Sequence, residues 1–130
     1  MESKDIFSLS WYNLCMRSTT NQLTSSILEY LLRLPHCFAW RANTAGIYDA
    51  RLGVYRTSPK RGVPDIIGLY KGYFFAVEIK TGKDRLSSVQ QSFIASVQQA
   101  SGSVIIAHEY KQAINDIERL ISHYNAKATL

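Results

Sequence analysis

This chain of 130 residues contains few cysteines and histidines and lacks long apolar runs. Its two cysteines, Cys15 and Cys37, form neither a C-x-x-C pair nor a disulfide framework, which favours a reducing compartment. The three histidines lack the spacing of zinc ligands. No stretch approaches the roughly 20 apolar residues of a membrane span, and the N-terminus, with Glu2 and Asp5, does not match a signal peptide. We therefore expect a cytoplasmic protein with one domain over residues 1–130.

Acidic residues are also scarce in the middle of the chain. Fifteen Lys and Arg against ten Asp and Glu give a net charge of +5, although residues 1–40 and 109–130 carry balanced charge. Between positions 41 and 64, Asp49 is the only acid, and it faces the basic residues Arg41, Arg51, Arg56, Lys60 and Arg61. Such a cluster is typical of binding to a polyanion. A basic surface that only solubilises the protein explains the charge equally well.

The spacing of apolar residues predicts one α/β domain, built as helix, strand, hairpin, helix, strand and helix. In chain order the predicted elements are a helix between Thr20 and Pro35, a strand over 37–41, hairpin strands over 65–70 and 73–80, a helix capped by Ser87 or Ser88, a strand over 103–107 and a helix over 109–130. The predicted apolar stripe of the first helix is Leu23, Ile27, Leu28, Leu31 and Leu32. The basic segment 44–64 is predicted to be a loop or small hairpin, with 54–56 as a short strand. Residues 1–19 are too apolar for a free tail, so we expect this arm to pack on the domain or on a second subunit.

The segment from Asp65 to Lys80 predicts a β-hairpin with a tight turn at residues 71–72. A two-residue turn makes Asp65 and Glu78 direct cross-strand neighbours, with Cβ atoms on the order of 5 Å apart. Lys80 lies two positions beyond Glu78 and therefore points to the same face. Both strands are apolar on both faces, so we expect them in the middle of the sheet with helices covering each side.

Two carboxylates at this distance repel each other unless another group neutralises them. A divalent cation can do so, since Mg²⁺ binds through one or two carboxylates together with substrate phosphate. Such an ion lowers the pKa of a bound water and polarises a phosphoryl oxygen, while Lys80 would orient the water or stabilise charge on the phosphate. This apparatus suits phosphodiester hydrolysis. The alternative is that Lys80 only bridges Asp65 or Glu78 at a strand end.

Pro64-Asp65 followed by Glu78-Ile79-Lys80 resembles the PD…ExK signature of the restriction-endonuclease-like, or PD-(D/E)xK, nucleases. Further segments resemble the VRR-NUC branch of that superfamily: Trp40-Arg41-Ala42-Asn43-Thr44, residues 62–68, and Leu86-Ser87-x-x-Gln90. The resemblance covers roughly residues 20–108, the expected catalytic core. It implies a mixed four-stranded sheet flanked by helices, dependence on Mg²⁺ or Mn²⁺, and cleavage of DNA.

The resemblance also implies a role for each residue of the motif. Asp65 and Glu78 would hold the metal together with the carbonyl of Ile79, and Lys80 would be the catalytic lysine. Gln90 would position a metal ligand or a phosphate, although a helix cap is a competing role for it. Related stand-alone nucleases and the similar Holliday-junction resolvases act as homodimers on branched DNA, so we expect the same here. A phage or mobile-element source is a further expectation from the family.

The first helix departs from the family pattern, in which a glutamate, often with a glutamine, faces the site. Thr20 and Thr24 occupy the corresponding positions. Glu29 is the only acid of this helix, and it falls opposite the apolar stripe, so a solvated surface residue is the favoured interpretation. The alternatives of a DNA-binding module without turnover, or of a nuclease for single-stranded DNA or RNA, therefore stay open.

The candidates for DNA contact lie in the basic central segment: Arg41, Asn43, Arg51, Arg56, Lys60 and Arg61. Arg41 and Asn43 are placed to contact a phosphate near the site, and the others to contact the DNA backbone, which adds affinity without sequence information. Tyr48 and Tyr55 are candidates for stacking on unpaired bases, with packing beneath the loop as the commoner role for a tyrosine.

Overall fold

The structure is a computed structural model that describes residues 19–42, 47–56 and 60–128. Within these ranges the chain is mixed α/β, with three helices, a four-stranded sheet and a separate two-stranded hairpin. The elements are α1 (Thr19–Arg33), β1 (Cys37–Arg41), β2 (Ile47–Asp49), β3 (Val54–Arg56), β4 (Ile66–Tyr70), β5 (Tyr73–Ile79), α2 (Ser88–Gln99), β6 (Ser103–Ala107) and α3 (Tyr110–Ala128). The predicted class and element order are confirmed. The predicted packing of the arm lies outside the described residues, apart from Thr19, which is helical.

None of the described helices combines the length and apolarity that crossing a membrane requires.

The main sheet has the strand order β1-β4-β5-β6. The β1–β4 and β4–β5 pairs are antiparallel, whereas β5 and β6 are parallel because α2 crosses over between them. The hairpin strands β4 and β5 therefore occupy the middle of a mixed sheet, as their continuous apolar sequence predicted.

The turn between β4 and β5 fixes how these strands pair. Lys71 and Gly72 both have positive φ, at 50° and 86°, as expected for a two-residue hairpin turn that follows the strand twist. The pairs run from Tyr70 opposite Tyr73 to Ile66 opposite Val77. The predicted register is confirmed over these pairs. Asp65 and Glu78 lie one step beyond the last of them, and their carboxyl groups interact.

The core lies between one face of the sheet and the helices α1 and α3. It contains Leu23, Ile27, Leu31, Ile66, Phe75, Val77, Ile79, Ile117 and Tyr124. One position of the predicted α1 stripe is wrong, since Leu32 is 55% exposed. At 100° per residue Leu32 points away from Leu23, and Thr24 takes the buried position instead.

The second face of the sheet is covered less completely. Helix α2 packs along β6, yet none of its residues is buried. Over β1 and β4, Phe38, Trp40 and Leu69 are 63%, 42% and 40% exposed. Among the described residues, the expectation that helices cover both faces of the two hairpin strands is therefore wrong for β4, where Leu69 is exposed.

Candidate functional site

Asp65, Glu78 and Lys80 lie at one end of β4 and β5, on the sheet face opposite the main core. Val77 and Ile79 point into the core, and side chains alternate along a strand, so Glu78 and Lys80 point to the other face. Glu78 is nevertheless only 3% exposed and Lys80 only 7%. The structure thus places two buried ionisable groups beside the half-buried Asp65.

Asp65 is held by the strands on either side of it. Its Oδ2 accepts a hydrogen bond from the backbone N–H of Ile79 at 2.8 Å, and its carbonyl accepts one from the N–H of Ala42 at 2.9 Å. The carboxylate is therefore oriented by β5, and the backbone by the residue that follows β1. Ile79 is tied to the site through this N–H, and metal ligation by its carbonyl stays a prediction.

The segment that leads into Asp65 depends on Gly62 and Pro64. Gly62 has φ +78°, and a Cβ at this position would lie 2.6 Å from the carbonyl oxygen of Val89 in α2. Only glycine tolerates both the left-handed backbone and this close approach. Pro64 is fully buried and restricts the backbone just before Asp65. This local sequence thereby fixes the distance between the Asp65 strand and α2.

The pKa of Glu78 is raised from 4.5 to about 8. Burial is the main cause, followed by the charge of Asp65 and a hydrogen bond with that carboxyl, while the charge of Lys80 acts in the opposite direction. A hydrogen bond between two carboxyl groups exists only while one of them holds a proton. The site therefore favours a proton at Glu78 unless another positive group takes its place.

The oxygens of Glu78 differ in their partners. Oε1 accepts a hydrogen bond from Nε2 of Gln90 at 3.2 Å. Oε2 is buried and, within the described residues, has no hydrogen-bond partner. A buried acceptor without a donor costs on the order of 1–3 kcal/mol, and more when it is charged. An ionised Glu78 thus has an unsatisfied oxygen that suits a hard cation.

The Gln90 side chain forms the predicted helix cap and also contacts Glu78. Its Oε1 accepts the N–H of Ser87 at 2.9 Å, and Ser87 Oγ accepts the N–H of Gln90 at 3.2 Å, which forms a capping box at the start of α2. The same amide donates from Nε2 to Glu78. The helix cap therefore aims the amide at the carboxylate.

These roles of Gln90 can be separated by mutation. Gln90→Ala and Ser87→Ala each remove the capping box, so both are expected to lower the free energy of unfolding by about 1 kcal/mol. Only Gln90→Ala removes the donor to Glu78, and we expect it to weaken Mg²⁺ affinity by about tenfold. Urea unfolding and calorimetric Mg²⁺ titration measure the two effects. Equal Mg²⁺ affinities in the two variants would show that Gln90 only caps the helix and does not support metal binding.

Lys80 is fixed at the end of β5 by three contacts. Its N–H donates to the carbonyl of Ala107 at 2.8 Å, and its carbonyl accepts from Nδ1 of His108 at 2.9 Å, which requires the tautomer with a proton on Nδ1. Its Nζ lies 3.6 Å from Oδ2 of Asp84, a side chain that is 57% exposed. The ammonium is therefore buried next to the carboxylates and paired with an acid at the surface.

Asp84 and His108 are absent from the residues that the sequence predicted for the site. Asp84 follows Lys80 by four positions, within the loop that leads to α2. His108 directly follows β6, whose parallel pairing with β5 brings the ends of the two strands together. A prediction that β6 runs parallel to β5 would have identified His108, because the residue after β6 then lies next to the end of β5.

The start of α1 meets the site through threonines. Thr20 Oγ1 lies 2.8 Å from Oγ1 of Thr81, the residue after Lys80, and the buried Thr24 donates from Oγ1 to the Thr20 carbonyl at 2.7 Å. The Glu29 side chain is 74% exposed and lies 4.0 Å from Arg33. The interpretation of Glu29 as a solvated surface residue is confirmed. The described part of α1 therefore brings hydroxyl groups, and no acid, to this end of the sheet.

The basic candidates whose polar contacts are described bind residues other than Asp65, Glu78 and Lys80. Arg41 donates from its guanidinium to Oδ1 of Asn21. Arg51 and Arg56 both pair with Asp49, at 3.5 and 2.8 Å. The remaining described candidates, Lys60 and Arg61, lie between β3 and Asp65 in the sequence. The Lys60 ammonium is 6.0 Å from the ring centroid of Phe93, and Arg61 is exposed. Asn43 lies outside the described residues.

No group of three or more His, Cys, Asp or Glu side chains in the described chain is arranged to hold a metal ion. The Asp65–Glu78 pair offers two carboxylates, which matches the usual mode of Mg²⁺, whose shell is completed by water and substrate phosphate. The unsatisfied oxygen of Glu78 and the hard oxygen donors thus fit such an ion.

The fold and the site define this protein as a mixed α/β domain with a buried glutamate, a half-buried aspartate and a buried lysine at one sheet end. A scan against protein-family models matches no family, and a search of curated proteins finds no significant match. The functional assignment therefore rests on the chemistry of the site and on the motifs of the sequence.

Proposed function

We propose that this protein is a Mg²⁺- or Mn²⁺-dependent endonuclease with a restriction-endonuclease-like fold, similar to the VRR-NUC branch of the PD-(D/E)xK superfamily. It hydrolyses phosphodiester bonds of branched DNA, such as a Holliday junction, and acts as a homodimer. The observation that carries the proposal is the buried Glu78. Its pKa of about 8 and its unsatisfied Oε2, beside Asp65 and Lys80, describe a carboxyl pair that needs a cation in order to ionise.

Each residue of the site has a different proposed role in hydrolysis. Asp65 and Glu78 would hold the ion with the carbonyl of Ile79, and Gln90 keeps Glu78 oriented through its hydrogen bond of 3.2 Å. Lys80, buried and anchored on both sides of its peptide, donates from Nζ to the attacking water or to a phosphate oxygen. A bound Mg²⁺ supplies a water of lowered pKa and a Lewis acid for the phosphoryl oxygen.

The basic side chains around this site support a nucleic acid as the substrate. Arg41 stands at the end of β1, and Arg61 lies on the segment that leads to Asp65, so both flank the end of the sheet that carries the carboxylates. A polyanion bound across this end would bring a phosphate to the acidic pair while its neighbouring phosphates meet the guanidinium groups. The proposed homodimer follows from the proposed paired cut, because such a cut needs two sites and the described part of one chain contains one.

The test is cleavage of a labelled four-way junction, a matched linear duplex, a single strand of DNA and one of RNA, each with Mg²⁺, Mn²⁺ or EDTA. We expect paired nicks near the branch point of the junction that need the metal and disappear in Asp65→Asn. Asp116→Asn, on the outer helix α3, serves as the matched control and should cut like the wild type. Preferential cutting of a single strand would show that the substrate is single-stranded nucleic acid and not branched DNA. A monomer on junction DNA in sedimentation experiments would exclude the homodimer.

A DNA-binding module without turnover is the second candidate, and the first helix is the observation that favours it. Thr20 and Thr24 stand where the nuclease family has acidic and amide groups, and Thr20 is engaged with Thr81. If Asp65→Ala binds branched DNA like the wild type, and neither protein cuts any of the four substrates with either metal, this second function is the correct one.

A further inference from the structure

The β2–β3 hairpin is inserted at the end of the sheet where the carboxylates lie. The N–H of Ala42, the residue after β1, donates to the carbonyl of Asp65 at 2.9 Å. The chain between these residues therefore leaves and returns at the same point, next to the acidic pair. A hairpin carried by this insertion is attached directly at the site.

The side that returns from the hairpin is anchored on α2. Gly62 lies so close to Val89 that a Cβ would meet its carbonyl oxygen at 2.6 Å, and the Lys60 ammonium lies 6.0 Å from the centroid of the Phe93 ring. Because α2 also carries Gln90, which contacts Glu78, the anchored side of the insertion and the site share one supporting helix.

The hairpin exposes large apolar and aromatic side chains. Tyr48 and Tyr55 are paired across the strands, with ring centroids 5.2 Å apart and planes at 58°, and they are 55% and 73% exposed. Leu52 and Val54 are 62% and 51% exposed. The expectation that these tyrosines pack beneath the loop is therefore wrong. A two-stranded hairpin is only marginally stable in water, and this much exposed apolar surface adds nothing to its stability.

The hairpin also exposes basic groups, and its register places Arg56 and Asp49 on the face opposite the tyrosine pair. The Arg51 and Arg56 side chains are 86% and 59% exposed, and both contact Asp49, whose side chain is only 10% exposed. Asp49 also accepts the N–H of Arg51 at 3.0 Å, so it shapes the turn while it orients both guanidinium groups. The described hairpin carries two arginines and one aspartate, a net charge of +1, with its positive groups in solvent and its negative group largely covered.

A pair of exposed aromatic rings on a hairpin with a net positive charge has the chemistry of a surface for single-stranded nucleic acid. Unpaired bases stack on aromatic side chains whatever their sequence, and positive charge on the same element attracts the phosphate backbone. Paired bases inside a duplex offer no free face for such stacking. The hairpin is thus suited to DNA whose bases are unpaired close to the scissile bond.

We propose that the β2–β3 hairpin is a base-stacking arm, in which Tyr48 and Tyr55 bind bases that are unpaired at a branch point of DNA. Arg51 and Arg56, which contact Asp49 on the other face of the hairpin, add electrostatic attraction for the DNA backbone. This inference rests on the proposed nuclease function, because it explains which substrate the same site selects. By binding an unpaired base, the arm would place the neighbouring phosphodiester bond in front of Asp65 and Glu78.

The experiment measures equilibrium binding in EDTA, so that it does not depend on cleavage. The probes are a four-way junction with 2-aminopurine at the branch point and a fully paired duplex of the same length. For Tyr48→Ala combined with Tyr55→Ala, we expect junction affinity to fall by about 5- to 150-fold for each stack that is lost, with little change for the duplex. Loss of the quenching of 2-aminopurine fluorescence should accompany it.

Control variants separate stacking from other roles of the hairpin. Tyr48→Phe combined with Tyr55→Phe keeps the aromatic faces and should bind like the wild type. Tyr110→Ala removes a tyrosine that is 47% exposed on α3 and should change nothing. The proposal is overturned if the alanine variant keeps the junction affinity, if it loses junction and duplex equally, or if it only changes the oligomeric state in sedimentation.

The two proposals fail in different ways. A wild-type protein that prefers the junction through its tyrosines and cuts nothing with either metal contradicts the nuclease and keeps the arm. A protein that cuts DNA with metal, yet shows no tyrosine-dependent preference, keeps the nuclease and contradicts the arm. Failure to bind any DNA contradicts both.

Discussion

Lys80→Ala is expected to lower the rate of metal-dependent DNA cleavage by about 10²–10³-fold while the domain stays folded. Lys80 is only 7% exposed, and its side chain stands on the same sheet face as Asp65 and Glu78. In such a covered position a donor acts on developing charge more strongly than it would in water. The domain should survive, because the ion pair of Lys80 with the exposed Asp84 contributes little to stability.

The measurement is the single-turnover cleavage rate on the preferred substrate, with DNA affinity determined separately in EDTA. Lys83→Ala is the matched control, since it removes an exposed lysine from the same loop and should leave the rate unchanged. The charge of Lys80 also lowers the pKa of Glu78, so its removal should move any pH dependence of metal binding to higher pH. If DNA affinity falls as far as the rate, Lys80 binds the substrate and takes no part in the reaction.

The metal-free protein is expected to lose stability as the pH rises from about 5 to about 8. The pKa of Glu78 in the folded state, about 8, lies above its ordinary value of 4.5, so the folded protein holds this proton more tightly than the unfolded chain does. The stabilisation is complete below the unfolded pKa and is lost as the pH passes through the folded one. The difference corresponds to a contribution of about 5 kcal/mol.

Mg²⁺ is expected to restore this stability at the high end of the pH range. The cation would replace the proton at Glu78 and would bind only the folded protein, so Mg²⁺ at 100 times its dissociation constant should add about 3 kcal/mol. Urea unfolding at pH 5, 7 and 8.5, with EDTA or Mg²⁺, measures both effects. The stabilisation by Mg²⁺ should be larger at pH 8.5 than at pH 5, where it competes with the proton.

Glu78→Gln is the decisive variant for this titration. The amide cannot ionise, so the loss of stability with pH should flatten and the response to Mg²⁺ should disappear. Glu109→Gln, which removes an exposed carboxylate outside the site, should keep both effects. A Glu78→Gln protein that still loses stability in the same pH window would assign the titration to another group. An equal response of both variants to Mg²⁺ would exclude these carboxylates as the metal site.

The candidate site was predicted well where it depends on local sequence. The turn at Lys71-Gly72 sets the strand register, and the register sets which residues stand opposite each other. Period-two alternation then places Lys80 on the face of Glu78. The capping box of Ser87 and Gln90 is equally local. Each of these predictions needs only neighbours within a few positions along the chain.

The surroundings of the site were predicted less well, because they depend on contacts between distant segments. His108 reaches the carbonyl of Lys80 only because β6 pairs with β5 in parallel. The apolar sequence of β4 suggested cover on both faces, yet Leu69 is 40% exposed because α2 packs along β6 instead. The two tyrosines of the β2–β3 hairpin are exposed for a similar reason, since composition alone does not say whether a loop packs on the core or stands in solvent.

The sequence by itself determined the α/β order of elements, the hairpin register and the pairing of the two carboxylates with a lysine. These features follow from turn chemistry and side-chain periodicity, which act over a few residues. The tertiary structure alone decided that Glu78 is buried, that Gln90 satisfies only one of its oxygens and that its pKa rises to about 8. Burial and the partners of a charge depend on which distant elements pack around it, and these are the properties that turn a pair of acidic residues into a candidate metal site.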